Sequence, residues 1–246
     1  MVDQVFGRNP VLEALENDSI NIEKIYILQS ITGDFEKTVR SQCKRKNIDL
    51  ARVPEQKLNE LTRHKNHQGI VATIAPIIYQ EYTDVIDTVL KKNELPIILI
   101  LDNITDVRNI GAIARSAYFF GAHSIILTGN HSGGINDLSV KTSAGALLHL
   151  PVCKGKNLFN VVSDMQSLGI KVVATTSQTG HKLEQCDMSV GLAILLGSEG
   201  SGIHNKVLDV VDETIQIGAI NAFDSLNVSV AAGILLYELQ RQRHHE

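Results

Sequence analysis

Five short apolar runs between residues 96 and 217 are separated by segments in which apolar residues recur at helical spacing. The runs cover residues 97–101, 124–128, 171–175, 192–196 and 214–217. Continuous apolar strands that alternate with helices are typical of a mostly parallel sheet covered on both faces. This pattern predicts an α/β fold for residues 96–246.

The segments before residue 96 are shorter and less continuously apolar. Helical spacing is seen at residues 9–17, 35–47 and 55–63, and extended segments are expected at 25–29, 49–53 and 70–78. The polar stretch from Gln80, with a short amphipathic piece at 85–92, ends at Pro96. We therefore expect a small α/β domain at residues 1–76, a linker at 77–95 and the larger domain at 96–246.

Composition excludes several classes of protein. The three cysteines, Cys43, Cys153 and Cys186, lack paired spacing, and no His/Cys/Asp cluster has the spacing of metal ligands, so neither a disulfide framework nor a metal site is expected. The chain starts without the basic and apolar regions of a signal peptide, and its apolar runs are too short to span a bilayer. We expect a cytoplasmic protein with no membrane partner.

Charge is unevenly distributed. The whole chain has a net charge of −4, whereas residues 1–76 carry 11 Lys/Arg against 10 Asp/Glu. Basic residues cluster at positions 37–46 and again at 63–67. Such clusters can contact RNA phosphates, although a basic helix face is more often only solvated.

Three of the predicted strands run directly into polar loops. These loops are Asp102–Gly111, Gly197–Gly202 and Gly218–Ala222, the last of which leads into a helix from Val228. Ligands of open parallel sheets bind at the carboxyl ends of the strands, so the three loops are expected to form one pocket. Asp224 or Ser225 is placed to cap the last helix.

Arg115 is the first candidate for chemistry in this pocket. It follows Gly111 by one helical turn, and a residue without a side chain there would let a ligand or a backbone approach. A guanidinium beside that gap suits a phosphate, a carboxylate or a developing oxyanion. An ordinary surface arginine gives the same pattern.

The loop from Gly197 to Gly202 superficially resembles a nucleotide-binding loop. It lacks the Lys-Ser/Thr of a phosphate-binding P-loop and the glycine spacing of the dinucleotide fingerprint. Glu199 in its middle would repel a pyrophosphate, so the loop suits a neutral or cationic ligand that contacts backbone groups.

Together these segments resemble the SpoU-type (TrmH-like) RNA 2′-O-ribose methyltransferases of the SPOUT superfamily. The resemblance lies in three segments that occur in the family's order, at Asn109–Ala117, Leu196–Gly202 and Ser225–Ala231, with a further match at Ser143–Leu147. Residues 7–15 and 67–72 resemble the small N-terminal substrate-binding domain of members that act on large-subunit ribosomal RNA.

This resemblance implies a C-terminal trefoil knot, S-adenosylmethionine as methyl donor and a homodimer with composite active sites. It also implies which residues act. The backbones of Gly197, Ile217 and Leu226 would hold the cofactor, and the reaction site would be formed by Asn109, Arg115, Glu199, Ser225 and Asn227. The chain departs from the family at Gly218, Ala219 and Asn221, where Pro-Met and a later Gly are usual, so the cofactor loop is expected to be more flexible.

The expected reaction is attack of a ribose 2′-oxygen on the sulfonium methyl group, without a metal. A guanidinium resists deprotonation, so Arg115 is expected to stabilise the oxygen rather than act as base, with Glu199 and Asn109 orienting it. The preferred acceptor is a guanosine of 23S ribosomal RNA. Transfer RNA, or a knotted RNA-binding module without transfer activity, remains the alternative.

Overall fold

The structure is a computed structural model. It describes residues 4–17, 20–74, 76–129, 134–176, 180–198, 200, 202–218 and 225–243. The chain divides into two compact units. The first comprises Met1–Ile78 with Gly134–Asp137, and the second comprises Tyr79–Gly133 with Leu138–Glu246.

The described residues of the first unit form a four-stranded sheet with three helices. Its elements are β1 (Gln4–Phe6), α1 (Arg8–Glu16), β2 (Ile22–Leu28), α2 (Asp34–Lys46), β3 (Asp49–Val53), α3 (Glu55–Thr62) and β4 (Ile70–Ile74). The strand order is β1-β4-β2-β3, with β4 antiparallel to both neighbours and β2 parallel to β3. Aliphatic residues of α1, α2, β2 and β4, including Leu15, Ile25, Val39 and Ile70, form its core.

The second unit contains the long parallel sheet. Its elements are α4 (Tyr82–Lys91), β5 (Ile97–Asp102), α5 (Val107–Phe119), β6 (Ser124–Thr128), α6 (Asp137–Thr142), β7 (Val152–Gly155), α7 (Leu158–Ser167), β8 (Lys171–Thr175), β9 (His181–Lys182), β10 (Leu192–Leu196), α8 (Asn205–Leu208), β11 (Glu213–Gln216) and α9 (Val228–Arg243). Short 3₁₀ helices occupy Ala146–Leu148 and Leu183–Gln185.

Seven strands form this sheet, in the order β7-β6-β5-β10-β8-β11-β9, and every pair is parallel. Ile97 lies opposite Leu192 at the centre, and every residue of β5 and β10 is buried. This confirms the predicted α/β class. Strand order reverses between β5 and β10, because β6 and β7 lie on one side and β8, β11 and β9 on the other.

The predicted linker contains a helix that belongs to the second core. Val85, Ile86 and Val89 of α4 are buried, and the first two pack in one cluster with Ile98 and Val161. Gln80 forms an isolated parallel bridge with Cys153 of β7. The division at residues 76 and 96 stays a prediction about functional boundaries, whereas the described packing places α4 with the parallel sheet.

Helix α9 buries the apolar stripe that its sequence predicts. Val228, Ala232, Leu235, Leu236 and Leu239 are buried, and Ala231 is half-buried. None of the described helices is both long and apolar enough to cross a bilayer. Residues 219–224, on the path to this helix, lie outside the described residues, so the expected knot stays a prediction.

Candidate active site at the carboxyl edge of the parallel sheet

The three polar loops follow β5, β10 and β11. Because all strands of the sheet are parallel, the carboxyl ends of these three strands lie at the same edge. The edge includes the point between β5 and β10 where strand order reverses, which is where parallel sheets bind ligands. The topology therefore places the predicted loops where a shared site is possible.

The loop after β5 is held by its own polar side chains. The buried carboxylate of Asp102 accepts hydrogen bonds from Thr128 Oγ1 at 2.9 Å and from Asn103 Nδ2 at 3.1 Å. Asp106 then caps α5 by accepting the Arg108 N–H at 2.8 Å. These bonds fix where α5 begins and hence where Asn109 lies.

Gly111 of α5 lies against backbone. A Cβ atom at this position would lie 2.6 Å from the carbonyl oxygen of Ser139 and 2.8 Å from Thr142 Cβ. The sequence left open whether a ligand or a backbone approaches this glycine. The approach is made by the segment around α6, so Gly111 allows close packing there.

Asn109 and Asn227 meet although 118 residues separate them. Asn227 Nδ2 donates to Asn109 Oδ1 at 3.1 Å. The other side-chain atom of Asn227, Oδ1, accepts from Ser229 N–H at 2.9 Å and from Ser229 Oγ at 2.6 Å. Because Nδ2 donates and Oδ1 accepts, the amide of Asn227 has one preferred orientation. The first and third sequence motifs are thus joined by a direct contact.

The same bonds correct the predicted helix cap. Asn227 accepts the Ser229 N–H and so caps α9, whereas Ser225 is exposed and Asp224 lies outside the described residues. Ser229 was not predicted as a site residue. Its signal was present in the Asn-x-Ser spacing at the helix start, because a cap residue accepts from the N–H two positions later.

Arg115 does not join this pair within one protomer. Its side chain is exposed on α5, six residues beyond Asn109, and it makes no hydrogen bond or ion pair with any described residue. Arg108 and Phe119 lie on the same face of the helix, seven residues before and four after it. This arginine is available to a ligand or to a second chain.

The remaining predicted site residues lie at the ends of β10 and β11 and before α9. Gly197 packs so closely that a Cβ would lie 2.6 Å from the carbonyl carbon of Gly202, and Ser198 and Gly202 form an antiparallel bridge. Ile217 is half-buried, and Leu226 is 47% exposed. Glu199 lies outside the described residues.

The opposite, amino edge of the sheet carries a charged cluster that is internally paired. Glu213 accepts from Lys171 Nζ at 2.7 Å and contacts His181 Nδ1 at 3.0 Å. Burial acts to raise the pKa of Glu213, but the bonds from Lys171 and His181 hold that pKa below its ordinary value. Burial raises the pKa of the neighbouring Cys186 thiol to about 11, so this thiol is a poor nucleophile at neutral pH.

A cavity of about 520 Å³ lies beside this amino edge, lined by Gly180, His181, Leu208, Val211, Asp212, Glu213 and Thr214. Glu213 and His181 in this cavity are already bonded to one another. They are therefore less available to a reacting ligand than the polar groups at the carboxyl edge. Within the described ranges, no three His, Cys, Asp or Glu side chains are grouped to hold a metal ion.

Comparison with known protein families gives two adjoining matches. Residues 96–237 match the SpoU rRNA methylase family, and residues 4–80 match the RNA 2′-O ribose methyltransferase substrate-binding family. A Bacillus subtilis (strain 168) protein named as the TrmH-family tRNA/rRNA methyltransferase YacO is 34% identical over 242 residues, which cover 98% of this chain and 96% of that protein.

Two solved structures support the same relationship. The SpoU methyltransferase AviRb from Streptomyces viridochromogenes, in complex with AdoMet, is 26% identical with a TM-score of 0.61, and the match covers 98% of this chain and 90% of that chain. A TrmH/SpoU tRNA-modifying enzyme of A. aeolicus is 26% identical with a TM-score of 0.57, over 65% of this chain and 85% of that chain.

Proposed function

Because the chain belongs to the SpoU family of RNA methyltransferases, we propose that it transfers a methyl group from S-adenosylmethionine to a ribose 2′-hydroxyl of structured RNA. The observation that carries this proposal is the contact between Asn109 and Asn227, which joins two of the family's three motifs at the carboxyl edge. The preferred acceptor is a guanosine of 23S ribosomal RNA. The proposed place of action is the cytoplasm.

The residues proposed to hold the cofactor at the carboxyl edge have no charged side chains. Gly197, Ile217 and Leu226 would hold the cofactor by their backbone groups, and no charged side chain among these three would compete. The backbone at Gly218 is open, because a Cβ there would have no neighbour within 4 Å among the residues that the structure describes. This openness fits the absence of the usual Pro-Met after the strand, and we expect an altered cofactor affinity with binding retained.

Within such a site the chain's own residues would orient and stabilise the acceptor oxygen. When bound, the cofactor supplies an electrophilic methyl group on a sulfonium. Arg115 stabilises negative charge that develops on the 2′-oxygen, and Glu199 and Asn109 orient this arginine. Asn227, fixed by Ser229, and Ser225 provide short hydrogen-bonding groups beside the ribose. A 2′-hydroxyl acceptor makes RNA, not DNA, the substrate.

We propose that the active form is a homodimer in which Arg115 acts with Asn109 and Asn227 of the other chain. Support comes from an exposed apolar surface on α5 and α9, which we call the helix-pair surface. Its large side chains are 36–79% exposed, and they are Tyr118, Phe119, Val230, Ile234 and Tyr237. Exposed apolar groups of this kind are typical of an interaction site. Arg115 lies on α5, the helix that carries Tyr118 and Phe119.

The C-terminal knot and the role of residues 1–76 as the RNA-binding domain complete this proposal. The match of residues 4–80 to a substrate-binding family supports the second point. A transfer RNA acceptor is the alternative substrate, favoured by the likeness to the A. aeolicus tRNA-modifying enzyme. A binding module without transfer is less well supported, because Asn109 and Asn227 are in contact.

The decisive experiment supplies the full chain with radiolabelled S-adenosylmethionine and, separately, protein-free 23S ribosomal RNA and unmodified transfer RNA. Alkaline hydrolysis then separates the two sites of methylation, because a 2′-O-methyl ribose protects its 3′-phosphodiester. Label in alkali-resistant dinucleotides supports the proposal and names the acceptor. Label only in mononucleotides would place the methyl group on a base, and no label in either RNA would favour the binding module.

A further inference from the structure

A second exposed polar surface lies in the first unit, outside the candidate active site. It is formed by the turn before α1 and the loop between α3 and β4, and we call it the basic loop surface. Its exposed side chains are Arg8, Asn9, Arg63, His64, Lys65, Asn66 and Gln68. The segments 6–10 and 63–69 contain no acidic residue. Three permanent cations are thus concentrated on a chain whose net charge is −4.

Hydrogen bonds join the two segments. The Arg8 N–H donates to Gln68 Oε1 at 2.9 Å, and the Gly7 N–H donates to the carbonyl of Ile70 at 3.2 Å. Residues 60 positions apart in sequence are therefore parts of one surface.

Both segments also place a cation on an aromatic ring. The Arg8 guanidinium lies 4.9 Å from the centre of the Phe35 ring, and the Lys65 ammonium lies 6.0 Å from that of Phe6. Both rings are half-buried. A guanidinium supported on one face by a ring leaves its other face for a planar group, such as a nucleobase.

The loop is held in an uncommon conformation. Arg63, His64 and Gln68 have φ of 54°, 60° and 50°, in the left-handed region that non-glycine residues seldom adopt. The buried His67 stabilises this loop. Its Nδ1 accepts the Gly69 N–H at 3.0 Å, so its Nε2 carries the ring proton and donates to Asn59 Oδ1 at 3.1 Å. A rigid, strained loop is often a binding loop, because it loses little conformational entropy when its ligand binds.

The other basic cluster of the first unit is organised differently. On α2, Glu36 accepts from Arg40 at 2.6 Å and from Arg52 at 2.9 Å, and Lys37 lies 3.4 Å from Asp34. These bonds from Arg40 and Arg52 hold the pKa of Glu36 below its ordinary value, although burial acts to raise it. Two of the cations on this helix, Lys37 and Arg40, are therefore paired with its own carboxylates, and in contrast to Arg8 and Lys65 neither is described over an aromatic ring.

We propose that the basic loop surface binds a single-stranded segment of the RNA substrate, with a base stacked on Arg8 and phosphates contacted by Arg63 and Lys65. The exposed amides of Asn9, Asn66 and Gln68 are suited to the edges of unpaired bases. This inference rests on the proposed function, because it assigns the substrate contact of the same enzyme. RNA binding is thus assigned to the basic loop surface rather than to the cluster on α2, and to single-stranded rather than double-stranded RNA.

The test uses the full-length chain and a fluorescent oligouridine strand, with a duplex of equal length for comparison. We expect Arg8→Gln and Lys65→Gln to weaken single-strand binding about tenfold, in line with the loss of one stacked base or charged contact. Arg8→Lys removes the planar guanidinium and should therefore weaken binding by a similar amount. Because it keeps the positive charge, the salt dependence of binding should stay at the wild-type value. Lys65→Gln should lower the slope of log affinity against log salt by about 0.7, the value for one phosphate contact on a single strand.

Matched controls are Lys44→Gln and Arg45→Gln, which remove exposed charges from α2 in the same unit. They should leave single-strand affinity within about twofold of wild type. Equal losses in the controls, or tighter binding of duplex than of single strand, would overturn the proposal. Methyl transfer to 23S ribosomal RNA separates the two claims: the Arg8 variants should raise KM with kcat retained, whereas a wild-type chain that transfers no methyl group contradicts the proposed function itself.

Discussion

The two edges of the parallel sheet use their polar residues differently. At the amino edge, Lys171 and His181 both bond to Glu213. At the carboxyl edge, Asn109 and Asn227 form a neutral contact, and Arg115, six residues further along α5, has no bonding partner among the described residues. Charges that are paired with one another contribute mainly to stability, whereas an exposed and unpaired charge is available to a ligand or to a second chain. Mutations at the two edges should therefore affect different properties.

The largest effect is expected at Arg115. Arg115→Ala should lower kcat for RNA methylation by about 10²–10³-fold, the usual loss when one charge-stabilising group is removed from a transition state. Binding of S-adenosylhomocysteine, measured by calorimetry, should stay within about threefold of wild type, because cofactor binding is proposed to depend on backbone groups elsewhere. Arg45→Ala, an exposed arginine on α2, is the matched control and should leave kcat unchanged. A fully active Arg115→Ala would remove the proposed role.

A smaller effect is expected at Asn227, where two variants separate catalysis from helix capping. Asn227→Asp keeps an oxygen for the Ser229 N–H but cannot donate to Asn109, so activity should fall about tenfold with the melting temperature maintained. Asn227→Ala loses both bonds and should also destabilise the fold by about 1 kcal/mol. For both variants, thermal melts measure the stability and initial rates measure the activity. Equal activity of wild type and Asn227→Asp would show that the Asn109 contact is only structural.

At the amino edge, the expected effect is on stability alone. Lys171→Met removes the ammonium that pairs with the half-buried Glu213 and should lower the free energy of unfolding by about 1–3 kcal/mol. His181 still contacts the carboxylate, which limits the loss. Denaturant unfolding measures this change, and kcat should stay at the wild-type value. A large loss of kcat in a stably folded Lys171→Met would contradict the separation of the two edges.

The smallest effect concerns α9, which starts at the carboxyl edge and is fixed near the amino edge. There Arg243 donates to the carbonyls of Leu95, Met188 and Val190. One turn earlier, hydrogen bonds from Arg241, at 2.7 Å, lower the pKa of Glu238 to about 2 against the opposing effect of burial.

Because the folded-state pKa of Glu238 is depressed, its contribution is present above the ordinary value of 4.5 and is lost as pH falls toward 2. Arg241→Gln should raise that pKa, so it should lower stability modestly at pH 7, and its difference from wild type should shrink as the pH falls from the ordinary value toward 2. Melts between about pH 3 and 7 test this sign. An unchanged acid limb would show that the pair contributes nothing measurable.

Sequence patterns predicted the central strands well because those strands are continuously apolar. Strands β6, β8 and β10 have the predicted bounds, whereas β7 and β9 at the sheet edges were not predicted. β9 has only two residues, and the Val-Cys-Lys-Gly sequence of β7 has no clear period. Their pairing depends on partners distant in sequence, which local periodicity does not contain.

The candidate site was predictable in its parts but not in its contacts. Three strand ends and their loops followed from the apolar runs, and the roles of the residues followed from family resemblance. The Asn109–Asn227 bond and the capping of α9 by Asn227 could not be predicted, because both depend on how α5 and α9 pack together. Residue type alone favoured Ser225 or Asp224 equally as the cap.

The central claim, a methyl-transfer site shared between two chains, is tested most directly by mixing two inactive variants. Homodimers of Arg115→Ala and of Asn109→Ala are each expected to lack methyl transfer to 23S ribosomal RNA. After subunit exchange, half of the dimers should be mixed, and each mixed dimer should contain one intact site, which restores about a quarter of wild-type activity. If mass spectrometry shows mixed dimers and no activity returns, Arg115 and Asn109 act within one chain and the composite site is wrong.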